Sequence, residues 1–284
     1  MFITAPLPTL QAWVDHFSQI DLPVLRHTAQ TLYAQRKQSD RINARFLSGI
    51  IHNDPLLTVR VLAYIEKNRP KSRITDITTI ERALVMLGIE PFFAAFANLP
   101  LVEDTLRGHP RALLGLLKVI NRARHAARWA RDIAVARYDL DVEEISLAAL
   151  LHDVAELLMW CSAPALALEV SDLQAHDHSL RSKAAQKEVY GVELEELQLA
   201  LAQLWQLPQL LAQLMDRDHA DSPRVRNVVL AVDLARHSAN GWDDPALPDD
   251  FLAIADLLHV NLEAVYRYLG LDENGRPPAS ANPG

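Results

Sequence analysis

The chain has one cysteine, Cys161, in 284 residues. A lone cysteine has no partner for an internal disulfide, so the fold is expected to be held by packing alone, in a reducing compartment. Cys161 itself reads as a small buried hydrophobe near a helix end. Glycine is scarce too, at 9 residues, and no Asn-Gly or Asp-Gly pair stands between alternating apolar runs. That argues against hairpins and sheet. No apolar run reaches the roughly 18 uninterrupted residues of a membrane span. The richest stretch, Leu147 to Trp160, is broken by His152, Asp153 and Glu156. Residues 1–15 carry no basic residue ahead of an apolar run, which speaks against a secretory signal. Basic excess is also missing: the net charge is −8 and the pI about 5.7. The charge footprint of nonspecific nucleic-acid binding is therefore absent. The expectation is a cytoplasmic protein with neither membrane nor nucleic acid as its partner.

What is present is a folding composition, 50% hydrophobic and 23% charged. The length suits one large or two ordinary domains. Helix punctuation is dense. Asp54-Pro55 predicts an N-cap and first-turn proline for a helix through about Asn68. Thr78 with Glu81 predicts a capping box, closed at Gly88, and Glu90-Pro91 opens the next segment. A long helix is expected from about Arg111 to Tyr138, and another from Asp141 and Glu144 to Cys161, stopped before Pro164. Further helices are expected at 180–190, 194–206, 208–215 and 223–239 and in a stretch ending near Gly270. Residues 271–284 read as a disordered tail. The seam is placed near Gly108-His109-Pro110.

In LAALLHDVAELLMW, residues 147–160, only His152, Asp153 and Glu156 are not apolar. A helix apolar on nearly every side belongs in a core, where an ionised carboxylate is costly unless paired, hydrogen-bonded or bound to a metal. On a continuous helix His152 and Asp153 lie about 100° apart, which suits one ion approached from two directions. The plain alternative is a core histidine bonded to a carbonyl and an aspartate paired with an arginine. Two further segments add candidates. NRARHAARWARD aligns His125, Trp129 and Asp132 on one helical face, and VVLAVDLARH makes Asp233 the one acid of an apolar helix. Imidazole and carboxylate together would suit a divalent metal such as Mn, Fe, Ni, Mg or Zn. Arg122 and Arg128 project within about 60° of His125, where they could meet a phosphate, or else form a solvated basic face.

A lone His, then His-Asp, then a lone Asp, each on its own helix, resembles the HD superfamily of metal-dependent phosphohydrolases. FLSGIIHNDPLLTVRVLAYIEKN, ITTIERALVMLGIEP, ALLHDVAEL and LWQLPQLL, in that order, resemble the landmarks of the HDOD family, over roughly Asp21 to Trp242. The Asn-Ser usual after the first landmark is replaced by Asn68-Arg69. The resemblance implies an all-α, multi-helix HD-like bundle with an N-terminal group of short helices. It divides the chain into an N-terminal helical half (1–110), an HD-like half (111–242), and C-terminal helices with a flexible tail (243–284). It also implies a non-catalytic output or regulatory module of bacterial signal transduction, engaging a signalling protein in trans. His125, His152, Asp153 and Asp233 would be the ligands of one metal. The related HD-GYP phosphodiesterases, which cleave cyclic di-GMP, need a second set. Here Leu194 and Asp218-His219 stand at those positions, and the Gly-Tyr-Pro element is missing. The alternatives are a mononuclear metal phosphohydrolase or a sensor that binds a nucleotide without cleaving it.

Overall fold

Short polar residues ahead of apolar runs set the helix starts. Thr9 accepts from the Ala12 N–H, Asn43 from the Phe46 N–H and Asn261 from the Ala264 N–H, each supplying a partner to a donor that the helix leaves free. The computed structural model describes residues 2–36, 42–68, 77–177 and 180–277. Among them there is no strand, only an isolated bridge between Val24 and Leu101. In chain order the helices are α1 (Leu10–Gln19), α2 (Arg26–Arg36), α3 (Ala44–Ile51), α4 (Pro55–Asn68), α5 (Ile80–Leu87), α6 (Ile89–Ala95), α7 (Val102–Thr105), α8 (Pro110–Ala136) and α9 (Val142–Leu151). There follow α10 (Val154–Ser162), α11 (Pro164–His176), α12 (Ser182–Tyr190), α13 (Leu194–Leu204), α14 (Gln209–Met215), α15 (Pro223–His237), α16 (Leu247–Leu258) and α17 (Leu262–Leu269). The fold is all-α.

The chain forms two compact units, residues 1–120 with 151–212, and residues 121–150 with 213–284. Their boundaries do not follow the chain order. The sequence seam at Gly108-His109-Pro110 lies inside the first unit, and the continuous helix α8 passes from one unit to the other.

In the first unit Asp54, wholly buried, accepts from the Leu56 and Leu57 N–H groups at 3.1 and 3.2 Å and from the Leu25 N–H at 2.8 Å. It caps α4 as read and also ties α4 to the start of α2. Thr79, not Thr78, caps α5, accepting from the Arg82 N–H. Gly88 then turns the chain at φ +87°, a conformation that costs a side chain. Gly115 of α8 lies under Trp160 of α10, so close that an added Cβ would come within 3.0 Å of the indole. Trp13, fully buried, donates to the Tyr190 carbonyl at 3.3 Å.

In the second unit Asn227, wholly buried on α15, donates to the Ala130 carbonyl of α8, and Ser146 of α9 donates to Ala127. Arg224 grips Asp139 at 3.0 Å, fixing the α8–α9 turn. His237 of α15 meets Asp250 of α16 at 2.7 Å. Residues 271–277, read as part of a disordered tail, form a turn. Asp272 accepts from the N–H groups of Asn274 and Arg276, and Gly275 packs against Phe251 and Tyr266. Residues 278–284 and Arg69 lie outside the described residues.

The stretch Val142–Ser162 is long and apolar enough, by composition, to cross a membrane, and 83% of its most apolar part is buried. It is a core segment here. It is also not one helix. α9 ends at Leu151 and α10 begins at Val154, with His152 and Asp153 in the turn between them. The expectation of an unbroken helix from Asp141 to Cys161 is corrected at the two residues of chemical interest.

Candidate functional site

A break in a core helix strands backbone donors and acceptors, and buried ones must find partners. Gln198 of α13, 4% exposed, supplies both. Its Oε1 accepts from the Ala155 N–H at 2.8 Å, and its Nε2 donates to the Leu151 carbonyl at 2.9 Å. One amide therefore clamps the two ends of the interruption and holds the His152-Asp153 turn open. The sequence carries a signal for it outside the motifs: Gln198 sits on the buried face of α13 that Leu194, Leu197 and Leu201 define. A lone amide in an apolar row is a core polar group in need of a purpose.

His152 is 7% exposed, and its Nδ1 lies 2.9 Å from Asp153 Oδ1. Its Nε2 is buried and makes no hydrogen bond. The break between α9 and α10 removes the 100° separation that a continuous helix would impose. Asp153, at φ −105° and ψ 24°, stands where a helix N-cap would, and the pair is presented by a turn.

The first unit contains His152 and Asp153, and the second contains His125 and Asp233. His125 is half-buried on α8 with its ring 5.4 Å from Trp129, and burial, then Arg128, lowers its pKa. Asp132, one turn beyond Trp129, has its pKa raised by burial against the opposing pull of Arg128 and Arg131. Arg128, a candidate phosphate ligand, lies over the Trp129 ring at 5.7 Å from its centre. Arg122, the other candidate, is half-buried on the same helix and has an interaction of its own.

Asp233 is engaged. The Arg217 guanidinium meets it with two hydrogen bonds, 3.1 Å to Oδ1 and 2.8 Å to Oδ2, and Arg236 lies 4.0 Å away. Such a fork engages both oxygens of the carboxylate. Arg217 belongs to the short 3-10 turn Arg217–His219, the same turn that carries Asp218 and His219. His219 there is exposed and bound to Asp216 at 2.9 Å. Leu194 is buried and apolar. Arg217 was not singled out from the sequence, because nothing in MDRDHADSP distinguishes one surface arginine from another.

Tested against the metal that an HD-like pattern implies, the residues divide. The orphaned Nε2 of His152 is a suitable donor, whereas Asp233 already neutralises a guanidinium. Among the described residues no group of three or more His, Cys, Asp or Glu side chains is placed to hold a metal ion. Cys161 offers no alternative chemistry, since burial pushes its thiol up to about 12.

With this geometry in hand, comparison with known proteins defines the class. The HDOD domain family model matches residues 22–221, and the chain belongs to the HDOD family. Two solved structures share the fold. The MmoQ response regulator of Methylococcus capsulatus str. Bath is 21% identical, with 88% of this chain and 99% of that one covered and a TM-score of 0.67. A virulence factor, cj0248, of Campylobacter jejuni subsp. jejuni is 20% identical, with 94% and 95% covered and a TM-score of 0.62. No curated protein matches.

Proposed function

We propose that the chain is a non-catalytic regulatory module of bacterial signal transduction that acts by binding a signalling protein in trans. The observation that carries this reading is the Arg217–Asp233 pair. A carboxylate that an HD phosphohydrolase would give to its metal is here given to a fixed cation of the same unit. Family membership supports the signalling role, as does the likeness to MmoQ, a response regulator. Elemental analysis of protein purified without chelator tests the reading. The expected content of Mn, Fe, Ni, Mg and Zn is well below one ion per chain. A stoichiometric ion lost in the Asp233→Ala variant would contradict it.

One observation favours a second reading, a mononuclear metal phosphohydrolase acting on a nucleotide or phosphoester. The buried His152 Nε2 makes no bond, and a buried polar atom left in that state calls for an explanation. On that reading His125, His152, Asp153 and Asp233 form one donor set, with Arg122 or Arg128 against the phosphate. A nucleotide sensor would use the same arginines without cleavage. Calorimetric titration with a nucleoside triphosphate, with and without manganese, separates these: binding lost in both Arg122→Ala and Arg128→Ala supports the sensor.

A further inference from the structure

Away from the His-Asp turn, the first unit contains a cavity of about 570 Å³ between α2 and the segment that follows α6. Its shape follows from how α2 is fastened. At its first turn the Arg26 N–H donates to the Glu103 carboxylate at 2.9 Å, and the Arg26 guanidinium pairs with Asp104 at 2.9 Å. The backbone bonds from the Val24 N–H to Pro100 and from the Val102 N–H to Val24, each 2.9 Å, pin the same end. The cavity runs from that anchor, where Pro100 and Leu101 line it, along one face of α2.

Ala29, Leu32, Tyr33 and Arg36 line it from α2. Their i, i+3, i+4, i+7 spacing places them on one helical face. Opposite stand Phe93 and Phe96, both 6% exposed, with Phe96 held in place by stacking on Phe92. The walls that would otherwise close the space end in methyl groups, at Ala29 and Ala97. The volume falls within the range of small-molecule sites, which are mostly apolar with a few placed polar groups.

The charge in the lining selects the ligand. Asp21, the one acid of the lining, is paired with Arg60. Arg36 lines the cavity as its one cation, and no ion pair is found for it among the described residues. One positive charge therefore remains beside an aromatic wall.

We infer that this cavity binds a small amphipathic organic anion, with a flat apolar body against Phe93 and Phe96 and a carboxylate or similar group at Arg36. The site lies apart from the His-Asp turn, and the inference holds whether or not the module is catalytic. The probe is 1-naphthoate, with neutral 1-naphthalenemethanol as its control, titrated by calorimetry into the full chain. Saturable naphthoate binding is expected in the micromolar to low millimolar range. It should weaken at least about tenfold in Ala29→Phe and in Ala97→Leu, with their thermal melts checked to show that the fold is intact. Arg36→Glu should weaken naphthoate about fivefold or more while leaving the alcohol within about twofold. No saturable binding up to about 5 mM, or binding unchanged in both filling variants, would overturn the site. Equal affinity for acid and alcohol, unmoved by Arg36→Glu, would overturn the anion assignment.

Discussion

At the scale of single residues, buried polar side chains have specific tasks. Replacing Gln198 with Leu would strand the Leu151 carbonyl and the Ala155 N–H in the core. With each buried unsatisfied group costing about 1–3 kcal/mol, a loss of ~2–4 kcal/mol in urea unfolding is expected. A loss below about 0.5 kcal/mol would mean that Gln198 does not clamp the break. His237 and Asp250 supply a pH test. Donating a hydrogen bond to the Asp250 carboxylate raises the pKa of His237 above 6.5, and burial raises that of Asp250 above 3.8. In both cases the folded state holds the proton more tightly than the unfolded chain does, so stability falls as pH rises. For Asp250 the loss runs from 3.8 up to its raised value. For His237 the contribution is complete below 6.5 and is lost through its raised folded value. NMR titration should place His237 above 6.5 in the wild type and closer to it in Asp250→Asn. No change on that substitution would contradict the pairing.

At the scale of elements, punctuation was legible where the chemistry is local. Asp54-Pro55 opens α4 as read, because the capping bonds reach only two and three residues ahead. Thr79 took the place expected of Thr78, since either threonine stands ahead of the apolar run and only the backbone conformation distinguishes them. The break at His152-Asp153 was not legible. Its cause lies 43 and 47 residues away, in the two bonds of Gln198, and an apolar stretch gives no local sign of interruption. The crossing of α8 and α10 was equally hidden in the sequence, since it depends on the absence of one Cβ. Gly115→Ala should cost about 1–3 kcal/mol by overpacking against Trp160, although alanine is the better helix former. A melting temperature at or above that of the wild type would show that the two helices part easily.

At the scale of the whole molecule, scarce glycine and dense caps were enough to foresee an all-α fold, and four ordered landmarks were enough for the family. The two compact units were not foreseeable, because they join segments distant in sequence. The engagement of Asp233 was hidden although its partner lies only 16 residues away. Sequence spacing placed that aspartate in a candidate metal set, and the partner that occupies it comes from a turn with no motif. The claim that this chain regulates rather than hydrolyses is tested most directly by turnover. Cyclic di-GMP and a generic phosphodiester are incubated with the protein and manganese, iron or nickel, and product is counted per chain. The account expects no turnover above that of a His152→Ala, Asp153→Ala double variant. Multiple turnovers that vanish in both single variants would contradict it and make the protein an enzyme.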